Sequence, residues 1–101
     1  GTSPDCTSNG VANLNTLATW LRSNGRQAFL TETGGGSTSS CYINLCAELD
    51  SMNHNTDVYL GWIGWAAGAF ETGYALSETP TFSNGVWTDQ GIVTNCVAGR
   101  F

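Results

Sequence analysis

One acidic residue, Glu32, stands between two threonines at the end of a short apolar segment and directly before three glycines. The segment, Ala28 to Leu30, has the length and composition of a strand buried on both faces, as in a parallel sheet. Because the glycines cannot extend that strand, we expect it to end close to Glu32. Folds of the α/β class place their chemistry at the carboxyl ends of parallel strands, so Glu32 is a candidate catalytic residue. A solvated acid at a strand end is the alternative interpretation.

A second apolar run, YLGWIGW, ends at Trp65 and is rich in strand formers. If the two strands are parallel neighbours, Glu32 and Trp65 lie at the same end of the sheet. An indole ring stacks on the apolar face of a sugar, and a carboxylate can meet the anomeric carbon, so this pair is typical of a sugar-processing site. The alternative is that Trp65 only packs at the strand end. The connection that follows carries further acids on that side: Glu71, Glu78 and Asp89.

Apolar spacing and turn residues predict the elements that must position these side chains. We expect helix over 10–24, strand over 27–32, a second helix capped by Ser37 or Thr38, strand over 58–65, an irregular connection over 66–82, and a last short helix capped by Asp89. The predicted class is therefore α/β, in the order α-β-α-β-loop-α with two parallel strands. Two such strands have bare apolar edges, which predicts that more chain or another copy covers them.

Size and charge limit the kinds of partner. The 101 residues suffice for one small domain, and the net charge of −5 comes with three arginines and no lysine. This composition argues against nucleic acid and anionic membranes and favours a neutral partner. We expect no membrane span and no signal sequence, hence a mature chain or one cut from something longer.

The cysteines and the histidine indicate disulfides rather than a metal site. Cys6, Cys41, Cys46 and Cys96 form an even set without a CxxC motif, and His54 lies in a polar connection. Two disulfides in a secreted, extracellular protein are therefore expected, with three pairings open. We expect no metal and no cofactor. The three glycines lack the lysine of a P-loop, and Glu32 would repel a phosphate there.

The longest stretches of the chain resemble a known family. LATWLRSNGRQAFLTETGGG, DVYLGWIGWAAGAF, ETPT and the final WTD are similar to the carboxyl-terminal portion of fungal endo-β-1,4-glucanases (cellulases) of glycoside hydrolase family 5. The likeness covers essentially the whole chain. It implies a partial (β/α)₈ barrel, with residues 1–101 as one subdomain that contains the last two βα units.

The resemblance also implies roles for individual residues. Glu32 matches the nucleophile of a retaining hydrolase at the end of the seventh strand, and Trp65 resembles the tryptophan that stacks on the sugar beside the cleaved bond. Trp62, in the same apolar run, is a further substrate-binding candidate that rests on its residue type and not on the resemblance. The implied disulfides are Cys6–Cys41 and Cys46–Cys96, and the implied substrate is β-glucan, either cellulose or cello-oligosaccharides.

The chain departs from the family's pattern in two respects. No Asn-Glu pair occurs, so the general acid/base glutamate of the fourth strand has no counterpart, nor do the His and Tyr of the sixth strand. Within this chain Glu78 is the best substitute for the acid/base. A homo-oligomer, or association with the remaining barrel portion, would complete the fold.

Two other functions remain open from the sequence. The first is a glucan-binding chain that cleaves nothing and uses Trp62, Trp65, Tyr74 and Trp87. The second is a disulfide-stapled structural domain without glucan affinity. The sequence does not determine the exact glucan that is bound.

Overall fold

The elements follow the predicted βα rhythm, with one addition near the carboxyl end. The computed structural model describes residues 5–68 and 73–101. They form α1 (Val11–Ser23), β1 (Ala28–Thr33), α2 (Ser39–Asn53), β2 (Tyr59–Gly64), β3 (Thr81–Ser83), β4 (Val86–Thr88), α3 (Gly91–Asn95) and a closing 3₁₀ helix (Val97–Arg100).

Helix α1 begins and ends where its flanking residues supply partners for the helix ends. The Asn9 side chain accepts a hydrogen bond from the Val11 amide at 3.0 Å, which satisfies one free donor of the first turn. After the last turn Gly25 adopts a φ of +62°, and the Arg26 amide then donates to the Leu21 carbonyl at 2.9 Å. The predicted span of 10–24 is confirmed to within one residue at each end.

Helix α2 joins the two parts of the core. Its first turn is capped by the Thr38 side chain, which accepts from the Cys41 amide, as predicted. One cluster of buried residues combines α2 with the carboxyl-terminal segment, and the other combines it with α1 and the start of β2. The first contains Cys41, Leu45, Cys46, Leu49, Ile92, Cys96 and Val97. The second contains Ala18, Leu21, Met52, Val58 and Tyr59.

Both disulfide pairings implied by the resemblance are confirmed. Cys6 is bonded to Cys41 with their Cα atoms 4.8 Å apart, and Cys46 to Cys96 with theirs 5.4 Å apart. The first ties the amino-terminal segment to the start of α2. The second ties the middle of α2 to the end of α3. Helix α2 is thus held covalently at two levels.

Strands β1 and β2 are parallel, as predicted, with Leu30 opposite Trp62 and Thr33 opposite Gly64. The expectation that their apolar residues are buried on both faces is wrong. Leu60 is 63% exposed and Ile63 is 53% exposed, and Phe29 is also open to solvent. The helices α1 and α2 cover one side of the sheet, and among the described residues no second layer covers the other.

The connection after β2 holds an element that the sequence interpretation missed. It was expected to be irregular over 66–82, but β3 and β4 form an antiparallel hairpin. Asn84 and Gly85 form the turn between the two strands, with φ of +52° and +76°, as a tight hairpin turn requires. None of the described helices is long and apolar enough to cross a membrane.

The expected cap of the last helix is also wrong. Gln90, not Asp89, is the N-cap residue of α3, and its side chain makes no capping hydrogen bond. Ser37, from the segment before α2, accepts from the Ile92 amide at 3.0 Å instead. A residue 55 positions away in the sequence therefore performs the capping role.

Candidate active site

The carboxyl ends of β1 and β2 meet, which places Glu32 and Trp65 on neighbouring strand ends. Thr33 and Gly64 are paired, and the Trp65 amide donates to the Thr33 carbonyl at 2.7 Å. Glu32 directly precedes this pair and Trp65 directly follows it. Glu32 is exposed, so its carboxylate is accessible to a ligand. The juxtaposition expected from two parallel strand ends is present.

The glycines after Glu32 are required by close approach to their neighbours. A Cβ on Gly34 would overlap the Trp65 carbonyl oxygen. One on Gly35 would lie 2.8 Å from the Cys6 sulfur and 2.9 Å from the Cys41 sulfur. The chain leaving β1 therefore passes between the Trp65 backbone and a disulfide. Side chains larger than hydrogen would push the strand end, and Glu32 with it, out of place.

The Trp65 ring is held by a neighbouring aromatic residue. Its indole Nε1 donates to the Tyr74 hydroxyl at 3.3 Å. The peptide bond between Trp65 and Ala66 is cis. Both aromatic side chains keep accessible surface, Tyr74 being exposed. A hydrogen bond at the polar edge leaves the faces of the indole ring for stacking.

Glu78 is brought to the same end of the sheet by the returning connection. Its amide donates to the Ala66 carbonyl at 2.8 Å, and its carboxyl group lies directly against Gly64. One carboxyl oxygen, Oε1, is buried and finds no hydrogen-bond donor among the described residues. Burial raises the pKa of Glu78 because it disfavours the charged form. A raised pKa is the direction of shift expected for a carboxyl group that acts as a general acid.

Glu48, a residue of α2, lies behind the strand end on the helix side of the sheet. It is partly buried and accepts a hydrogen bond from the Thr33 hydroxyl at 2.9 Å. Burial raises the pKa of Glu48, and the Thr33 hydrogen bond opposes that rise in part. Thr33 follows Glu32 directly, so Glu48 fixes the strand end from the helix layer. The alternation of strand side chains indicates that Thr33 faces the helices when Glu32 does not, but it does not identify Glu48 as the partner.

Trp62 lies among core residues. Its ring packs against both core clusters, stacks on Phe101 with ring centroids 4.9 Å apart, and donates to the Asn53 side chain at 3.1 Å. These contacts are with the helix layer and the carboxyl terminus. The structure does not bring Trp62 to Trp65 and Glu32 at the strand ends. A role for it in sugar binding stays a prediction, and these contacts favour a packing role.

Two other acids follow β2 in the sequence, Glu71 and Asp89. Asp89 is exposed beyond the hairpin, and Glu71 lies outside the described residues. His54 is exposed at the end of α2. In the described part of the chain, no group of three His, Cys, Asp or Glu side chains is arranged to hold a metal ion.

Comparison with known proteins identifies the family. The model of the cellulase family, glycosyl hydrolase family 5, matches residues 2–68, which include Glu32 and Trp65. The chain belongs to glycosyl hydrolase family 5. Its residues align over 99% of the chain with Endoglucanase EG-II of Hypocrea jecorina at 50% identity. They account for 24% of that relative's length, so the chain spans about a quarter of it.

Solved structures of family members superpose on nearly the whole chain. Cel5A (EG2) from Hypocrea jecorina matches with a TM-score of 0.88 and 50% identity, over 95% of this chain and 30% of that one. XacCel5A in complex with cellopentaose matches with a TM-score of 0.78 and 34% identity, over 92% and 30% respectively. The family's (β/α)₈ barrel is thus the parent architecture, of which this chain is a part.

Proposed function

We propose that this chain carries the nucleophile and a sugar-stacking platform of a retaining endo-β-1,4-glucanase. Glu32 is the nucleophile and Trp65 is the platform. One observation carries the proposal: an accessible carboxylate and an indole ring stand on adjacent ends of paired parallel strands. We also propose that these two strand ends correspond to the ends of the seventh and eighth strands of the barrel. Residues 1–101 then form one subdomain of that barrel.

The chemistry assigned to Glu32 is attack on the anomeric carbon. The glycosidic bond breaks as the glycosyl–Glu32 ester forms, and the leaving oxygen takes a proton from an acid. Water then hydrolyses the ester with a base removing its proton, so the configuration is retained. Trp65 orients the sugar by stacking on its apolar face. The substrate class is β-1,4-glucan, supported by the cellopentaose bound to XacCel5A.

The acid must be a second carboxyl about 5–5.5 Å from the nucleophile. Within this chain Glu78 remains our candidate, because its carboxyl group lies against Gly64 at the same end of the sheet and burial raises its pKa. The alternative source is the rest of a family 5 barrel, since the chain spans only about a quarter of its relative. Association with that portion, or with copies of the chain, would also cover the exposed strand residues. A monomeric mass by light scattering at micromolar concentration would contradict the homo-oligomer.

Secretion is proposed on the basis of the two disulfides. Such bonds persist in oxidising compartments and are rare in the cytosol. The competing function, glucan binding without cleavage, is favoured only by the exposed aromatic rings. A purely structural domain leaves the accessible Glu32 without a role.

The test uses a substrate that needs no acid. Dinitrophenyl β-cellobioside has a leaving group that departs without protonation, so the nucleophile alone can release it. We expect the chain to release at least one equivalent of dinitrophenolate. Glu32→Gln should release none above background, whereas Asp57→Asn, at the opposite end of β2, should behave as the parent. Equal release by the parent and Glu32→Gln would refute the nucleophile.

The role of Glu78 needs the unactivated substrate. Hydrolysis of a soluble cellulosic polymer requires a proton donor, so Glu78→Gln should lose this activity while it keeps dinitrophenolate release. If polymer hydrolysis is unchanged in Glu78→Gln, Glu78 is not the acid/base and the carboxyl comes from elsewhere. If neither chain hydrolyses the polymer while dinitrophenolate is released, the chain holds the nucleophile half of a site.

A further inference from the structure

The hairpin of β3 and β4, residues Thr81–Thr88, is exposed along its whole length. Phe82 is 59% exposed and Trp87 is 67% exposed. Exposed aromatic side chains that lie together, unlike isolated ones, often mark a surface that binds a ligand or a partner. The hairpin is therefore a candidate binding element, and neither the proposed cleavage reaction nor the two core clusters use it.

The two rings form one aromatic surface. Phe82 lies directly opposite Trp87 in the strand pairing, and their ring centroids are 4.8 Å apart with the planes tilted by 43°. Side chains alternate along a strand, so both rings project from the same face of the hairpin. Pairing of the two rings restricts their rotation, which reduces the entropy lost when a ligand stacks on them.

The chemical character of the hairpin indicates the ligand. All eight residues, TFSNGVWT, are uncharged, although the chain as a whole carries a net charge of −5. The hydroxyl side chains of Thr81, Ser83 and Thr88 project from the opposite face of the hairpin, and Asn84 lies in its turn. An uncharged aromatic surface fits a sugar, because the ring faces of a sugar are apolar and stack on aromatic side chains.

The base of the hairpin is fixed close to the candidate active site. The Gln90 side chain donates to the Thr79 carbonyl at 3.0 Å, and the Thr79 hydroxyl donates to the Gly68 carbonyl at 3.3 Å. The Glu78 amide donates a hydrogen bond to the carbonyl of Ala66, the residue after Trp65, and Glu78 precedes Phe82 by four residues. Four residues span at most about 14 Å, so the aromatic surface lies within an oligosaccharide's reach of Trp65.

We propose that Phe82 and Trp87 form an accessory binding site for a β-1,4-glucan chain, separate from the cleavage site at Glu32 and Trp65. This inference rests on the proposed function for its ligand class. A longer glucan would contact both Trp65 and the hairpin, while a disaccharide would occupy only one of them. Affinity should therefore rise with glucan length, and the hairpin should supply part of that rise.

The experiment measures the binding of cellopentaose and of cellobiose to the whole chain by NMR, from shifts of the indole N–H signals. The parent chain is compared with the variants Trp87→Ala and Trp65→Ala. Loss of one stacking contact should weaken cellopentaose binding about fivefold to tenfold in Trp87→Ala. Cellobiose binding at Trp65 should be unchanged in that variant. Trp87→Tyr, which keeps a ring, should retain most of the affinity. The matched control is Trp20→Ala, which removes a tryptophan of α1 that is 55% exposed.

The outcomes separate this inference from the proposed function. Equal cellopentaose affinity in the parent, Trp87→Ala and Trp20→Ala would overturn the accessory site, even if Trp65→Ala abolishes binding and the cleavage site stands. Weakening in Trp87→Ala with no effect of Trp65→Ala would support the hairpin and count against the cleavage-site platform. A change of sedimentation mass in Trp87→Ala without any change of glucan affinity would overturn the proposal in favour of a protein contact.

Discussion

Glu78 offers a pH-dependent test of how its carboxyl group is placed. In the folded chain burial raises its pKa, and its Oε1 atom has no donor among the described residues. In the unfolded chain the same carboxyl group is hydrated and ionises at its usual pH. The folded state therefore holds its proton to a higher pH than the unfolded state does. Stability from this group is present at low pH and is lost as the pH rises from the unfolded pKa through the folded one.

The magnitude follows from the single buried oxygen. A buried polar atom without a partner costs about 1–3 kcal/mol, and the lower end applies because the side chain is only partly buried and solvent screens its other oxygen. Glu78→Gln removes the charge and keeps the shape. We expect the variant to gain about 1 kcal/mol of unfolding free energy relative to the parent at pH 7. Near pH 3.5 the two should be equal, because the parent's carboxyl is then neutral.

Urea unfolding followed by tryptophan fluorescence at the two pH values measures this difference. Glu48→Gln is the matched control, because Glu48 is also partly buried but accepts the Thr33 hydroxyl. Its gain at pH 7 should be smaller, since its charged form already has a donor. If Glu78→Gln is no more stable than the parent at pH 7, the buried unpartnered oxygen is not a feature of the folded chain in solution.

Three further changes test how the strand end is held. Gly35→Ala places a Cβ against the Cys6–Cys41 disulfide. The variant should either lose about 1–3 kcal/mol of unfolding free energy in urea or contain free thiols in a thiol assay. A variant as stable as the parent and without free thiols would contradict this packing. Thr33→Val removes the hydroxyl that donates to Glu48 and should lower the unfolding free energy by about 1 kcal/mol at pH 7. The loss should be smaller at pH 3.5, where Glu48 is neutral, and an equal loss at the two pH values would contradict this role of the hydrogen bond. Replacing Cys46 and Cys96 by serine opens a span of 50 residues and should lower the unfolding free energy by about 4 kcal/mol, whereas an unchanged urea midpoint would refute the entropic account.

Local signals predicted most of the regular structure. The span of α1 and the Thr38 cap of α2 each depend on residues close in sequence, and each prediction was confirmed. The parallel pairing of the two strands also followed from their apolar runs and the helix between them. From these, the adjacency of Glu32 and Trp65 could be predicted without coordinates.

Contacts between distant residues could not be predicted in this way. The Ser37 hydroxyl at the start of α3 and the Thr33–Glu48 hydrogen bond depend on how α2 packs, which local patterns do not encode. The hairpin was missed because each of its strands has only three residues, too few for an alternating pattern to stand out. The sequence predicts that Leu60 is buried, because apolar strands are usually covered on both faces. Its actual exposure depends on which layers surround the sheet, and the strand sequence does not encode this.

The most direct test of the account is covalent labelling of Glu32. A 2-deoxy-2-fluoro cellobioside with a dinitrophenyl leaving group forms a slowly hydrolysed ester on a retaining nucleophile, and its departure needs no acid from the protein. The account predicts one added glycosyl group, located by peptide mapping at Glu32 and absent from Glu32→Gln. An unlabelled parent chain, or a label that persists in Glu32→Gln, would contradict it.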